Sequence, residues 1–331
     1  MIRTAAELES LATEVLKKAG TAEPAAASVA RALVRADLDG LNSHGMARLQ
    51  SYSAQVAAGK VVGGAVPAME QLGSSAARVD ANDGFAFPAF DIAIDALVEM
   101  TEETPVAGIA VTNSHHFGVA GHHVERLAER GVAGLVFGNS PAGIAPWGGS
   151  RPLFGTNPVA FGFPREGKPP LVVDLSLSKQ ARGKIKLAAD EGRSIPEGWA
   201  LDADGNPTTD AQVAMSGSML PMGEAKGAAL VLAVEIMAAA MTGAHFGYEA
   251  SSFFDTMGGP PRVGQFLLGF NPGPLSGGTY AERIEVLLQA VLDQPGTRLP
   301  GARRLEIRDK STREGIELPD ELIVWVETAA A

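Results

Sequence analysis

His44, Arg48 and Tyr52 stand four residues apart in the segment Leu41-Asn42-Ser43-His44-Gly45-Met46-Ala47-Arg48-Leu49-Gln50-Ser51-Tyr52. Residues four apart share a helix face, so a helix here lines up an imidazole, a guanidinium and a phenol. An imidazole moves protons near neutral pH with little tuning. A guanidinium clamps a carboxylate through two parallel hydrogen bonds. The three together suit a small organic acid. Asn42 or Ser43 can cap such a helix, and Met46, Leu49 and Val56 recur at helical spacing as its apolar side. A capped surface helix with a solvated polar line explains the same spacing, and on spacing alone it is the simpler account.

The six histidines supply further candidates. His115-His116 and His122-His123 flank Phe117-Gly118-Val119-Ala120-Gly121, and His245 stands alone between glycines. No H-E-x-x-H or comparable ligand spacing is present, so no metal site is expected. His116 is a second candidate acid–base residue, whereas His122 and His123 are expected on a helix surface. Asn113-Ser114-His115-His116-Phe117-Gly118 follows an apolar run and is expected to open a helix, whose free N–H groups favour an anion. Asp174-Leu175-Ser176-Leu177-Ser178 follows another apolar run, with Lys179, Arg182, Lys184 and Lys186 close behind. Its hydroxyls and amides suit a ribose or a phosphate, although a solvated strand-end turn reads the same. Lys226 near the start of a long helix, and the basic turn Arg298-Leu299-Pro300-Gly301-Ala302-Arg303-Arg304, are open to the same two readings.

The elements that must position these residues divide by texture. Residues 1–60 read as three helices, the first opened by a Thr4–Glu7 capping box and closed at Gly20, the second starting near Pro24, the third closing at Gly59. From about 70 short apolar runs dominate: Ala77–Asp80, Gly108–Thr112, Ala133–Phe137, Leu171–Leu175 and Gln265–Phe270 read as strands. Helical patterns fall at Pro88–Met100, Val119–Arg130, Gly223–Thr242 and Tyr280–Asp293, while Gly183–Asp210 reads as polar and turn-rich. The order implies an α/β or α+β fold. The boundaries expected are a helical region over 1–70 on the substrate side, joined by a C-terminal segment 280–331, and a sheet-containing cofactor-binding domain over 71–279.

Bulk properties narrow the function. The 331 residues carry 27 basic and 38 acidic side chains, a net charge of −11, which leaves no basic surplus for nucleic acid. Without cysteine, thiolate catalysis and disulfides are excluded. The N-terminus lacks a signal-peptide core, and the apolar run Ala228–Ala240 contains Glu235 and is too short to span a bilayer, so a buried helix and a cytoplasmic protein are expected. None of the 39 glycines lies two residues from another, so the dinucleotide fingerprint G-x-G-x-x-G is absent. Gly162 to Lys168 fits the spacing of a phosphate-binding P-loop, but Pro169 stands where its hydroxyl residue belongs. A dinucleotide either does not bind or binds on another scaffold.

Several segments, in this order, together resemble the malate/L-lactate dehydrogenase family of the non-Rossmann type, over nearly the whole chain. They are Ser43-His44-Gly45 with Arg48, Asn113–Gly118, Pro152–Pro158, Asp174–Ser178, Ala181–Ile185, Ile195–Ala200, Pro207–Asp210, Lys226-Gly227 and Pro300-Gly301. The resemblance implies a mainly antiparallel sheet flanked by helices, a homodimer, and NAD- or NADP-dependent reduction of small 2-oxo or 2-imino carboxylates, with NADPH favoured. It implies catalytic roles for His44, Ser43 and His116, and substrate contacts for Arg48, Tyr52, Thr156 and Asn157. It implies cofactor contacts for His116, Phe117, Gly118, Ser140, Asp174, Leu175, Ser176, Lys226, Pro300, Gly301 and Arg304. Four positions stand apart from patterns within the family. Glu224 and Ala225 replace a glycine and histidine, Ala302 replaces a glutamate, and Lys184 stands where the cyclic-imine reductases often carry an acid, which leans toward an oxo acid. A cyclic imino-acid reductase and a non-catalytic small-acid binder are the alternative readings.

Overall fold

The computed structural model describes all 331 residues. The N-terminal region is a short strand β1 (Ile2–Arg3) and helices α1 (Ala5–Lys18), α2 (Glu23–Leu38) and α3 (Leu49–Ala57). Thr4 caps α1 through the expected box, its hydroxyl accepting from Glu7 N–H while the Glu7 carboxylate accepts from Thr4 N–H. The helix expected from Asn42 onward does not form as one piece. Asn42–His44 and Met46–Arg48 are separate 3-10 turns, no side chain caps them, and Gly45 breaks the run at ψ −147. The reason is Asp37 at the end of α2: its Oδ2 accepts the Met46 N–H at 2.6 Å, and a Cβ on Gly45 would sit 2.1 Å from its Oδ1. The buried carboxylate thus occupies the space a helical side chain would need.

The central sheet has seven strands: β2 (Ala68–Gly73), β3 (Ala76–Asp80), β4 (Val106–Ser114), β5 (Ala133–Gly138), β6 (Val159–Phe163), β7 (Leu171–Leu175) and, late in the chain, β11 (Val263–Phe270). Their order is β2-β3-β4-β11-β5-β6-β7, and only β3–β4 is parallel. That parallel pair needs a long crossover, supplied by α4 (Ala86–Glu103). Helix α5 (Ala120–Glu129) lies on the β5–β6 face, where Gly162 leaves no room for a side chain: a Cβ there would meet the Val124 carbonyl at 2.3 Å. The sheet is mainly antiparallel and flanked by helices, as the family resemblance implies.

A small lobe follows. Helix α6 (Arg182–Asp190), strands β8 (Ala200–Leu201) and β9 (Pro207–Thr208), helix α7 (Ala211–Ser216) and strand β10 (Ser218–Met219) lead into α8 (Glu224–Glu235), so the stretch read as turn-rich holds two helices and a small sheet. Its core joins Ile185, Ile195 and Met219 to Val231 and Val234 of α8. The helix expected to reach Thr242 changes at Ile236–Ala240 into a π turn. It is not buried all round either: Leu230, Leu232 and Ile236 are exposed, while Glu235 is buried.

The chain ends with α9 (Pro272–Leu275), α10 (Tyr280–Leu292), α11 (Ala302–Glu314), β12 (Ile316–Glu317) and α12 (Asp320–Ala330). Ile316, Ile323 and Val326 share one core with Leu8, Leu33, Met46, Leu49 and Tyr52, and β12 pairs with β1. Helix α10 lies elsewhere, its Glu285 chelated by Arg165 beyond β6 at 2.7 and 2.9 Å. No helix is long and apolar enough to cross a membrane.

Candidate active site

Although the helix is broken, His44 and Arg48 remain close. Ser43 Oγ lies 3.0 Å from His44 Nδ1, and Arg48 Nε donates to the Ser43 carbonyl at 2.7 Å. Tyr52 leaves the expected solvated line entirely: it is fully buried, with its hydroxyl 2.5 Å from His116 Nδ1. The rings of His44 and His116 stack with centroids 5.5 Å apart. His116 comes from the loop after β4, and α5 begins only at Ala120, so the His-His pair precedes the helix instead of opening it.

Burial sets the protonation of this group. Desolvation, then the Arg48 charge, lowers His44 to about 4. Desolvation holds His116 well below its usual value and pushes the Tyr52 phenol well above its own. Both are therefore neutral at neutral pH. Nδ1 is the only hydrogen-bond partner of the Tyr52 hydroxyl, and with the phenol O–H donated there the His116 proton sits on Nε2, on the far side of the ring from Tyr52. His115, 1 % exposed, packs against Tyr52, Phe85 and Phe253 and is held neutral at about 3 by desolvation. Arg48 forms no ion pair with any carboxylate of the chain, and its guanidinium lies 4.7 Å from the Phe254 ring centre. A cation beside two neutral imidazoles is arranged to receive an anion and to exchange a proton with it.

A second cluster lies where α5 begins. Gly121 N–H donates to Asp174 Oδ2 at 2.9 Å, at the end of β7, and the other Asp174 oxygen takes no hydrogen bond from the chain. Ser176 and Ser178 hydroxyls are 2.9 Å apart in the following loop. Leu177 and Lys179 are bonded through their backbones to Met222 and Leu220, which brings the exposed Lys226 at the α8 start beside the same loop. Gly301, at φ +80, packs against β7, where a Cβ would lie at contact distance, 3.4 Å, from the Val172 carbonyl. The turn Arg298–Arg304 lines a cleft of about 440 Å³, and neither Arg298 nor Arg303 has a carboxylate partner. An acceptor carboxylate, hydroxyls and unpaired arginines form a donor set that fits the ribose and phosphates of a dinucleotide.

Other expected residues sit differently. Ser140 Oγ accepts from Thr156 N–H at 3.1 Å, joining those two. Asn157 is buried, and its amide donates to Glu235 Oε2 and the Val231 carbonyl. Phe117 is buried and stacked on Phe90, and Gly118 lies against Phe87. The exposed Leu175 is at the end of β7. Arg304 is half-committed inside the molecule, donating to Asp39 and Glu125. His122 and His123 are not on the surface: α5 turns both inward, His122 to Asp39 at 2.8 Å and His123 to the Phe117 carbonyl at 2.7 Å.

Sequence reasoning missed Asp37, Gln55, Lys60, Phe253 and Phe254. Phe253 closes over His115 and His116 with ring centres 5.2 Å away in both cases. These residues come from two stretches of the chain almost 200 residues apart and share no spacing that marks them.

The family described as malate/L-lactate dehydrogenase matches residues 4–327. The chain is 50 % identical over 317 residues to a (2R)-3-sulfolactate dehydrogenase (NADP(+)) of Chromohalobacter salexigens, covering 96 % of this chain and 94 % of that one. It is 38 % identical over 320 residues to a Δ1-pyrroline-2-carboxylate/Δ1-piperideine-2-carboxylate reductase of Pseudomonas putida, covering 95 % and 93 %. The crystal structure of Δ1-piperideine-2-carboxylate reductase from Pseudomonas syringae pathovar tomato superimposes with a TM-score of 0.94 at 36 % identity, covering 99 % of both chains.

Proposed function

The chain belongs to the malate/L-lactate dehydrogenase family, and we propose that it transfers hydride between NADP(H) and C2 of a small 2-hydroxy or 2-oxo carboxylate. The observation that carries this reading is Arg48, a guanidinium without a carboxylate partner set beside neutral His44 and His116. Asp174, Ser176, Lys226 and the Pro300-Gly301 turn would hold the cofactor, with Arg298 and Arg303 at its phosphates. When bound, the nicotinamide supplies or accepts the hydride.

The chain's own residues do the rest. Arg48 pairs with the substrate carboxylate and fixes C2. In the oxidative direction His44, neutral and oriented by Ser43, accepts the proton of the substrate hydroxyl; in the reductive direction it returns a proton to the same oxygen. Arg48 is one of the charges that hold the His44 pKa down, so pairing Arg48 with a carboxylate relieves that effect and favours proton uptake by His44. His116 presents its Nε2–H as a hydrogen-bond donor, backed by Tyr52.

We infer that the protein is cytoplasmic and, as the resemblance implies, a homodimer; the exposed Val66, Met69 and Leu72 on and beside edge strand β2 support self-association. Light scattering on the purified chain tests that state. Steady-state assays with (2R)-3-sulfolactate, malate, lactate and cyclic imino acids, each with both cofactors, test the substrate class. Turnover of hydroxy or oxo acids above cyclic imines is expected; exclusive turnover of imines would replace this reading with an imino-acid reductase. His44→Ala is expected to lower kcat by about 100- to 10,000-fold, and wild-type turnover would remove His44 from the chemistry.

A further inference from the structure

Lys60 is 1 % exposed, yet it does not meet the substrate groups. Its ammonium donates to three backbone carbonyls of one segment: Ser252 at 2.6 Å, Met257 at 2.7 Å and Asp255 at 3.1 Å, with the Asp255 carboxylate at 3.5 Å. An ammonium has three protons, so the carbonyls take all of them. Gln55, fully buried one turn earlier, donates to the Phe253 and Asp255 carbonyls at 3.0 Å each. The held segment forms neither helix nor strand and lies almost 200 residues from Lys60 in sequence. It carries the two aromatic rings that touch the site. Phe253 packs on His115 and His116, and Phe254, 63 % exposed, lies under the Arg48 guanidinium.

We propose that Lys60, with Gln55, is a positioning residue that winds Ser252–Met257 around its ammonium, so that Phe254 fixes the Arg48 guanidinium and Phe253 walls the acid–base pair, setting affinity for the carboxylate substrate. A lysine is suited to this because a compact point charge collects carbonyls from several directions, whereas the planar guanidinium of arginine does not. A buried ammonium is costly without such partners, so the segment and the lysine stabilise each other's conformation. The stacking of a guanidinium on a ring leaves its N–H edge open to a carboxylate. The segment is thereby a specificity wall, since Phe254 borders the anion that Arg48 binds.

The proposal rests on the hydride-transfer reading, and two readouts separate their failures. In Lys60→Met, KM for the 2-oxo acid is expected to rise about 10- to 100-fold, because misplacement of a clamp by about 1 Å has effects of that size. The fall in kcat should be smaller, and NADPH affinity, measured by its fluorescence, should be unchanged. Chymotrypsin should cut after Phe253 or Phe254 faster in the folded variant than in the wild type. Phe254→Leu should raise KM without faster cleavage after Phe253, and the double variant should raise KM no further than Lys60→Met alone. Wild-type KM with wild-type cleavage in Lys60→Met, or additive effects in the double variant, would overturn the proposal. Should Lys60→Met fail to fold, Gln55→Met removes two bonds to the same segment and must show the same split. If the wild-type protein turns over no carboxylate at all, the hydride-transfer reading fails while the cleavage comparison still decides the role of Lys60.

Discussion

Asp37 and Asp39 stand two residues apart at the end of α2 and serve two clusters built from the same residue types in opposite ways. Asp39 enters a saturated network. Arg308 donates to it at 2.5 and 2.7 Å, Arg304 at 3.2 Å and His122 at 2.8 Å, and the same arginines, with Arg35, also bind Glu125. Burial alone would raise the Asp39 pKa, but hydrogen bonds from Arg308 and His122 pull it well below the usual carboxylate range. Asp37 meets no cation. Burial pushes it up to about 6 against one N–H bond from Met46, and one of its oxygens has no partner. Its neighbours His44 and Arg48 likewise lack opposite charges. Where arginine, histidine and carboxylate neutralise each other, the cluster joins α2, α5 and α11. Where they do not, the cluster retains capacity for a ligand.

This contrast can be broken by mutation. Arg308→Met strips the saturated network and leaves Asp39 and Glu125 buried with too little positive charge. A loss of about 3–5 kcal/mol of stability in urea denaturation is expected, with kinetic constants of the folded enzyme little changed. A stable variant with impaired substrate binding would show that the two clusters are not separate in role.

The pH dependence of stability sharpens the comparison. Burial holds His44 at about 4, and His115 and His123 at about 3, so the unfolded chain binds more protons than the native one as pH falls below 6.5. Stability contributed by their neutral forms is complete above pH 6.5 and falls progressively from there toward 3, by about 1.4 kcal/mol per pH unit for each group. Asp37, raised to about 6, acts in the opposite sense between its unfolded value and 6, offsetting one histidine there. His115→Gln should flatten the acid limb of a denaturation series by about one such increment. An unchanged slope would show that His115 is already charged in the folded protein.

The smallest expected effect concerns the cofactor side. Glu224 opens α8 at φ +55, where the family pattern has glycine. Left-handed backbone costs a non-glycine residue about 1–2 kcal/mol, part of which glycine returns as entropy in the unfolded chain. Glu224→Gly should therefore stabilise by about 0.5–1 kcal/mol in thermal denaturation. A loss would mean that the glutamate makes contacts outweighing the strain.

The contrast also explains what the sequence makes legible. His44, Arg48, His116 and Asp174 lie in short segments with their own pattern, and the strands at Gly108–Thr112, Ala133–Phe137 and Leu171–Leu175 declare themselves as apolar runs. Strand β2 is exposed along its whole length and lacks such a run, so it was not legible. The saturated network draws from positions 35, 39, 122, 125, 304 and 308, and only the fold brings these together. A helical pattern alone puts His122 on a surface, because it cannot anticipate the arginines of α11 covering that face. The burial of Tyr52 is illegible for the same reason: a phenol that reads as polar is buried because His116, from the end of β4, shares its hydrogen bond.

The central claim is that Arg48 is left unneutralised in order to bind the substrate carboxylate. The most direct measurement is the affinity of oxamate, an unreactive 2-oxo acid analogue, for the NADPH complex of wild-type and Arg48→Gln protein, followed by NADPH fluorescence. The account predicts a loss of roughly 100-fold in oxamate affinity, with NADPH affinity and thermal stability unchanged. Equal oxamate affinity in the two proteins would contradict it.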